Sequence, residues 1–167
     1  EEVVTNDSIY IENIEVIAGE AFEIPVMFRN ELAYSAFQCD INLPQGIEIE
    51  VDEYGDYCVY PESSRLTNTH TLAASKVQDG VIRVACYSTA SRDIRGNDGA
   101  LFHIKAKAED GCEGDLKLTM NNIRFSTADG TEKTIKDAGC TINVGQVQGG
   151  EEVVTNDSIY IENIEVI

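Results

Sequence analysis

Apolar side chains recur at every second position along most of this chain. Phe22, Ile24, Val26 and Phe28 alternate with Glu23, Pro25 and Met27, and Phe37, Cys39, Ile41 and Leu43 alternate with Gln38, Asp40 and Asn42. A period of two is the signature of a strand with one buried face. Pro25 inside its run points to an edge position or a bulge. Nearer the N-terminus, Ile9 and Ile11 share one parity while Ile14 and Val16 share the other. The change at Asn13 predicts a bulge or bend in mid-strand.

Turn signals divide these runs. Ala18–Gly19–Glu20 and Pro44–Gln45–Gly46 are turns, the second leading into a strand carrying Ile47, Ile49 and Val51. Asp79–Gly80 and Asp129–Gly130 read as hairpin turns. Residues 81–88, 101–108, 116–125 and 141–144 are further strands; 61–75 read as partly loop and 91–99 as a polar loop. No segment sustains helical periodicity over a dozen residues. Nine or ten short strands with these turns predict an all-β, antiparallel sandwich.

The chain also repeats itself. Residues 1–17 and 151–167 both read EEVVTNDSIYIENIEVI. The period matches one whole domain and exceeds any solenoid repeat. The expected organisation is therefore a sandwich over 1–148, a Gly149–Gly150 junction, and a second copy of the first strand over 151–167. A natural array of tandem domains and a strand copied onto the C-terminus through a flexible Gly-Gly linker both fit.

Composition narrows the function. The chain has 167 residues, about one ordinary domain, with 43% hydrophobic and 25% charged residues, a soluble globular balance. No apolar run approaches the ~20 residues that cross a bilayer, so membrane insertion is not expected. No signal peptide is visible, so a mature or excised piece is expected. Thirty acids against twelve bases give a net charge of −18. That field repels phosphate backbones and argues against nucleic acid as a partner.

The run IENIEVIAGEAFEIPVMFRNELAYSAFQCDINLPQGIEI resembles the opening of a cohesin-type module, at Gly19, Val26, Asn30, Asp40, Leu43, Pro44, Gly46 and Ile47. DGVIRVACYS and DGALFHIKAKA resemble later strands of that family. The resemblance covers roughly residues 8–145 and rests mostly on turn and core positions. It implies a jelly-roll or immunoglobulin-like β-sandwich of about nine strands, with the first and last strands side by side. It also implies a dockerin as a candidate partner, the pairing found in cellulose-degrading assemblies. No dockerin calcium-loop pattern (D-x-[DN]-x-[DN]-G) occurs in the chain itself.

Candidate chemistry is sparse. His103 lies on a strand and His70 in a Ser/Thr-rich stretch with Ser63, Ser64, Thr67, Thr69 and Ser75, without the G-x-S-x-G scaffold of a nucleophile. Close pairs of carboxylates arise by chance among thirty acids, and Trp is absent, which weakens a glycosidase reading. Asp93, Asn97 and Asp98 are expected to form a hydrogen-bonded turn rather than a calcium loop. No metal-ligand spacing stands out, and neither metal nor cofactor is expected. Cys39 and Cys86 are core thiols or one inter-sheet disulfide; Cys112 and Cys140 are a candidate disulfide, leaving Cys58 over. Asn6–Asp7–Ser8 and Asn156–Asp157–Ser158 are candidate glycosylation sites at Asn6 or Ser8 and at Asn156 or Ser158.

The duplicated strand is the main functional candidate. Burying four Ile or Val side chains contributes on the order of 6–12 kcal/mol before ordering costs. The second copy therefore needs a slot. Ile159, Ile161, Ile164 and Val166 form the donated face, equivalent to Ile9, Ile11, Ile14 and Val16. That copy can begin the next covalent unit, dock head-to-tail in another molecule, or compete with the first copy inside its own molecule. The expected function is a non-enzymatic, extracellular or cell-surface bacterial repeat unit that assembles with itself head-to-tail, as a homopolymer or tandem array. The alternative is a cohesin-like module that binds a dockerin or similar protein.

Overall fold

In a computed structural model, residues 6–146 are described, and they form twelve strands and no helix. In chain order these are β1 (Ser8–Tyr10), β2 (Ile14–Ile17), β3 (Ala21–Arg29), β4 (Ala36–Asn42), β5 (Ile47–Ile49), β6 (Val59–Pro61), β7 (His70–Gln78), β8 (Val81–Ser88), β9 (Ala100–Ala108), β10 (Gly114–Ser126), β11 (Glu132–Ile135) and β12 (Ala138–Gly145). One sheet has the order β1-β3-β9-β5, with β6 also on β9. The other has the order β2-β12-β10-β4-β8-β7, with β11 also on β10. Every pairing is antiparallel except β2 with β12, which run parallel in the register Ile142↔Ile14 to Gly145↔Ile17. The second strand, β2, and the last described strand, β12, therefore lie side by side.

Twelve strands replace the nine expected, for local reasons. The parity change at Asn13 is not a bulge within one strand. It is the point where the chain leaves the five-stranded sheet after β1 and joins the seven-stranded sheet as β2. Asn13 marks the crossing, its Oδ1 accepting the Thr141 amide at 2.8 Å. β6 and β11 are short additions at sheet margins, too brief to show a period. β7 begins inside the stretch read as partly loop; as an edge strand it buries little and its alternation is weak. Val51 makes an isolated bridge to Tyr57 instead of extending β5.

Other expectations hold. Pro25 sits on β3 opposite His103, past the three residues that β1 covers, so its missing N–H faces an open edge. A register shift follows it at Val26/Met27. Asp79–Gly80 closes the β7–β8 hairpin, Gly80 taking φ +78 as such turns require.

The two sheets meet on an aromatic column. Phe28 of β3 stacks on Phe125 of β10 with centroids 4.1 Å apart, and Phe37 of β4 stacks on both Phe125 (5.1 Å) and Phe102 of β9 (5.8 Å). Such pairs add to the burial of their area. Ile24, Val26, Ile104, Leu118, Met120 and Ile142 complete a solvent-free core around them.

Candidate docking face and first-strand slot

The seven-stranded sheet turns a broad face outward. Its four adjacent strands β10, β4, β8 and β7 are seven to thirteen residues long. The register aligns the outward positions in rows: Arg124–Gln38–Ala85–Ala73, and Asn121–Asp40–Arg83–Ser75. Most of these side chains are short or polar, so the face is even. Tyr87 stands on it half exposed.

Asp40 sits at the centre of this face and yet is only 4% exposed. Arg83 covers it with a fork, Nε donating to Oδ1 at 2.7 Å and Nη2 to Oδ2 at 3.0 Å. Asn122 donates to Oδ2 at 2.9 Å from the β10 bulge, where its own φ is +51. Arg83 chiefly, then Asn122, hold the Asp40 carboxyl below its ordinary range against the opposing effect of burial. Beside them Asn42 donates to Thr119 Oγ1 and Asn121 Oδ1, both at 3.2 Å. The sequence carried a signal for this cluster: Asp40 and Arg83 both sit at the outward parity of apolar strands. Only the register makes them neighbours.

The five-stranded sheet presents a different outer face. Its β1, β5 and β6 are three residues each, so only β3 and β9 run its length. His103 lies between two carboxylates, Glu62 Oε1 at 2.7 Å from Nε2 and Glu23 Oε2 at 2.6 Å from Nδ1. His103 and then Ser64 lower the Glu62 pKa to about 2. Ala21, Phe22, Glu23, Tyr60, His103 and Lys105 line an open cleft of about 390 Å³ there. At one end Asp98 accepts from the Tyr10 hydroxyl at 2.9 Å and Arg29 Nε at 3.4 Å. Asp98 is thus part of a turn network with Asn97, whose carbonyl accepts the Asn30 amide.

Sequence reasoning missed Arg65, which the polar stretch 61–75 hides. It is buried, and its guanidinium donates to the carbonyls of Phe28 (2.9 Å), Gly99 (3.0 Å) and Arg95, and to Asn30 Oδ1 at 2.6 Å. His70 faces inward: burial lowers its pKa, and Nδ1 accepts the Thr67 amide at 2.9 Å. Among the described residues no three His, Cys, Asp or Glu side chains gather as a metal-ligand set.

The first-strand slot is well defined. Ile9, Ile11 and Val16 are buried and Ile14 packs against the core. Asp7 is buried too, accepting from the Tyr34 hydroxyl at 2.5 Å and from the Glu31 amide at 2.6 Å. Asn6 is exposed and Ser8 half-buried in β1. Asn156, Ser158, Ile159, Ile161, Ile164 and Val166 lie outside the described residues.

All five cysteines are free thiols. The expected Cys112–Cys140 bond is not made, and the register explains why. Gly114 pairs with Val144, and Gln146 donates to the Cys112 carbonyl, so Cys112 lies level with the end of β12. Cys140 is six residues back along that strand, ~20 Å away, pointing into the core beside Leu118. The alternative inter-sheet bond between Cys39 and Cys86 fails because both lie in one sheet. Cys39 faces Val84 and Cys86 faces Phe37, a diagonal of ~7–8 Å that exceeds disulfide reach.

The sequence profile of the Cohesin domain matches residues 8–148. The chain belongs to the cohesin family. Solved cohesins share its fold at low identity. A non-cellulosomal cohesin from the archaeon Archaeoglobus fulgidus is 19% identical, with 83% of this chain and 91% of that one covered and a TM-score of 0.64. The cohesin of a type I cohesin–dockerin complex from Clostridium thermocellum is 16% identical over 86% and 99% of the two chains, TM-score 0.66. A cohesin module of a family 33 glycoside hydrolase from Clostridium perfringens is 14% identical over 86% and 100%, TM-score 0.68. No curated protein sequence matches the chain. Cohesin domains are structural, protein-binding modules.

Proposed function

We propose that this cohesin is a non-enzymatic, extracellular bacterial module that binds a dockerin-like protein on the outer face of β10, β4, β8 and β7. The observation that carries the reading is the buried Asp40 held by Arg83 and Asn122. It sinks a charge into the centre of a wide face and leaves an even surface of short side chains around Tyr87. Interfaces favour such centres, depleted of free charge and carrying an aromatic anchor. The cohesin–dockerin complexes among its structural relatives support the partner class. Titration calorimetry against a panel of type I dockerin modules tests it. Ala85→Arg is expected to weaken binding at least tenfold, and Lys107→Glu on the other face to leave it unchanged. The reverse pattern overturns the placement, and no binding to any dockerin overturns the partner.

A second reading is favoured by the identical repeat. Residues 151–167 join one unit to the next head-to-tail, seating Ile159, Ile161, Ile164 and Val166 where a neighbour's Ile9, Ile11, Ile14 and Val16 would otherwise lie. Each unit already fills that slot with its own first copy, so this link requires a neighbour whose first copy has been displaced. Light scattering and electron microscopy of the 167-residue chain, against one ending at Gly150, test it. Larger species lost on truncation support the link, and equal sizes overturn it.

A further inference from the structure

We propose that residues 151–167 are an interchangeable substitute for β1 and β2 within the same molecule, closing the first-strand slot whenever the first copy leaves it. The proposal rests on the identical repeat, as the head-to-tail reading does, but not on that reading itself.

Three observations support it. First, every group that anchors the first copy is present in the second. Asp7 accepts from Tyr34 and Glu31, Ile9, Ile11 and Val16 are buried, Ile14 packs on the core, and Asn13 accepts the Thr141 amide. Asp157, Ile159, Ile161, Asn163, Ile164 and Val166 repeat them in the same spacing.

Second, the connection is long enough. β12 ends at Gly145, directly beside Ile17, whose neighbour Ala18 donates to the Gly145 carbonyl at 2.8 Å. The ten peptide steps from Ile17 back to Asp7 span at most ~35 Å even if straight, and the crossing between sheets shortens them. Twelve steps separate Gly145 from Asp157, a reach of ~40 Å. The second copy can therefore enter the slot of its own domain in the direction that β2 takes.

Third, the stoichiometry disfavours the neighbour. Each molecule has two such segments and one slot, so joining intact molecules buries no additional strand while costing the entropy of association. A tethered copy acts at an effective concentration of about millimolar. At micromolar protein, a vacated slot is closed from within.

Paired substitutions in the full chain test this. Ile9→Asp with Ile11→Asp disables the first copy, Ile159→Asp with Ile161→Asp the second, and all four disable both. Either pair alone is expected to lower the melting temperature by no more than a few degrees and to leave a monomer by size-exclusion light scattering at micromolar concentration. The four together are expected to lower it by at least ~10 °C. First-copy substitutions as damaging as all four overturn the proposal, as does a fourfold variant that melts like the parent. A stable first-copy variant that forms oligomers also overturns it, and supports head-to-tail donation instead.

Discussion

The two outer faces of this sandwich come from the same alternation of side chains, yet they handle charge in opposite ways. On the seven-stranded sheet, four long strands give a continuous face, and its central carboxylate is sunk beneath a guanidinium fork. On the five-stranded sheet, only two strands run the full length. Its charged groups are paired but stay part-exposed: Glu23 and Glu62 around His103, Asp98 with Arg29, and Lys105 with Glu50. Strand length makes the difference. A charge can be covered in the middle of four long strands because neighbours flank it on both sides. Short strands leave edges, and charge at edges keeps them from pairing with other chains.

The strongest way to break this contrast is to remove the group that organises the five-stranded side. Arg65→Met deprives the Phe28, Gly99 and Arg95 carbonyls and Asn30 Oδ1 of their donor. Each buried acceptor left unpaired costs about 1–3 kcal/mol, and with partial relaxation of the four a total of about 3–5 kcal/mol is expected. Chemical denaturation is expected to show a loss in that range, with both faces affected, because Phe28 also stacks on Phe125 in the shared core.

Asp40→Ala comes next. It leaves the Asn122 amide and both donors of the Arg83 fork without an acceptor, for a loss of about 1–3 kcal/mol. Arg83 is partly exposed and turns to water, which keeps the cost below that of Arg65. The linkage has a sign. Arg83 lowers the folded-state pKa of Asp40, so the contribution is full above the ordinary carboxylate pKa and is lost as pH falls below it. Asp40→Ala is therefore expected to narrow the stability difference from the parent in acid, read as converging urea midpoints.

The elements differ in how far the sequence revealed them. β3, β4, β8 and β9 are long and bury one face, so their period of two was unambiguous. β6, β11 and the start of β7 lie at margins where little is buried, and burial is what writes the period. The change of parity at Asn13 was legible, but its meaning was not. A bulge and a switch of sheets give the same local pattern, and the pairing of β1 with β3 and β2 with β12 decides between them. Asp40 and Arg83 were visible as polar residues on apolar strands, 43 positions apart. Their fork exists only through the β4–β8 register. Arg65 gave no sign at all, because a buried arginine in a polar loop has no periodic partner. The cysteine pairing failed for the same reason: spacing in sequence carries no register.

A smaller effect separates the faces by pH. Glu62 has a folded-state pKa of about 2, against an ordinary value of 4.5, through its bonds to His103 and Ser64. A lowered pKa stabilises the fold fully above 4.5, and that support fades as pH falls toward 2. Glu62 is partly exposed, so solvent screens it and the loss is modest. Glu62→Gln is expected to flatten the melting temperature between pH 4.5 and 2 relative to the parent. An unchanged slope means that other carboxylates with lowered pKa values, Asp40, Asp98 and Asp129 among them, carry the acid sensitivity.

The smallest effect on stability belongs to Tyr87, and there the two faces should part company in function. Its ring is half exposed on β8 and packs on nothing in the core. Tyr87→Ala is expected to change folding free energy by no more than ~0.5 kcal/mol, the usual range for surface positions. Tyr60, equally exposed on the five-stranded side, should behave alike in denaturation. Against a dockerin module the pair should diverge, with Tyr87→Ala losing affinity at least tenfold and Tyr60→Ala none. Equal losses would mean that the partner spans both faces or that the effect is not contact at all. A loss confined to Tyr60 would move the docking site to the cleft beside His103. Because neither substitution disturbs the fold, whichever tyrosine matters reports contact with the partner directly.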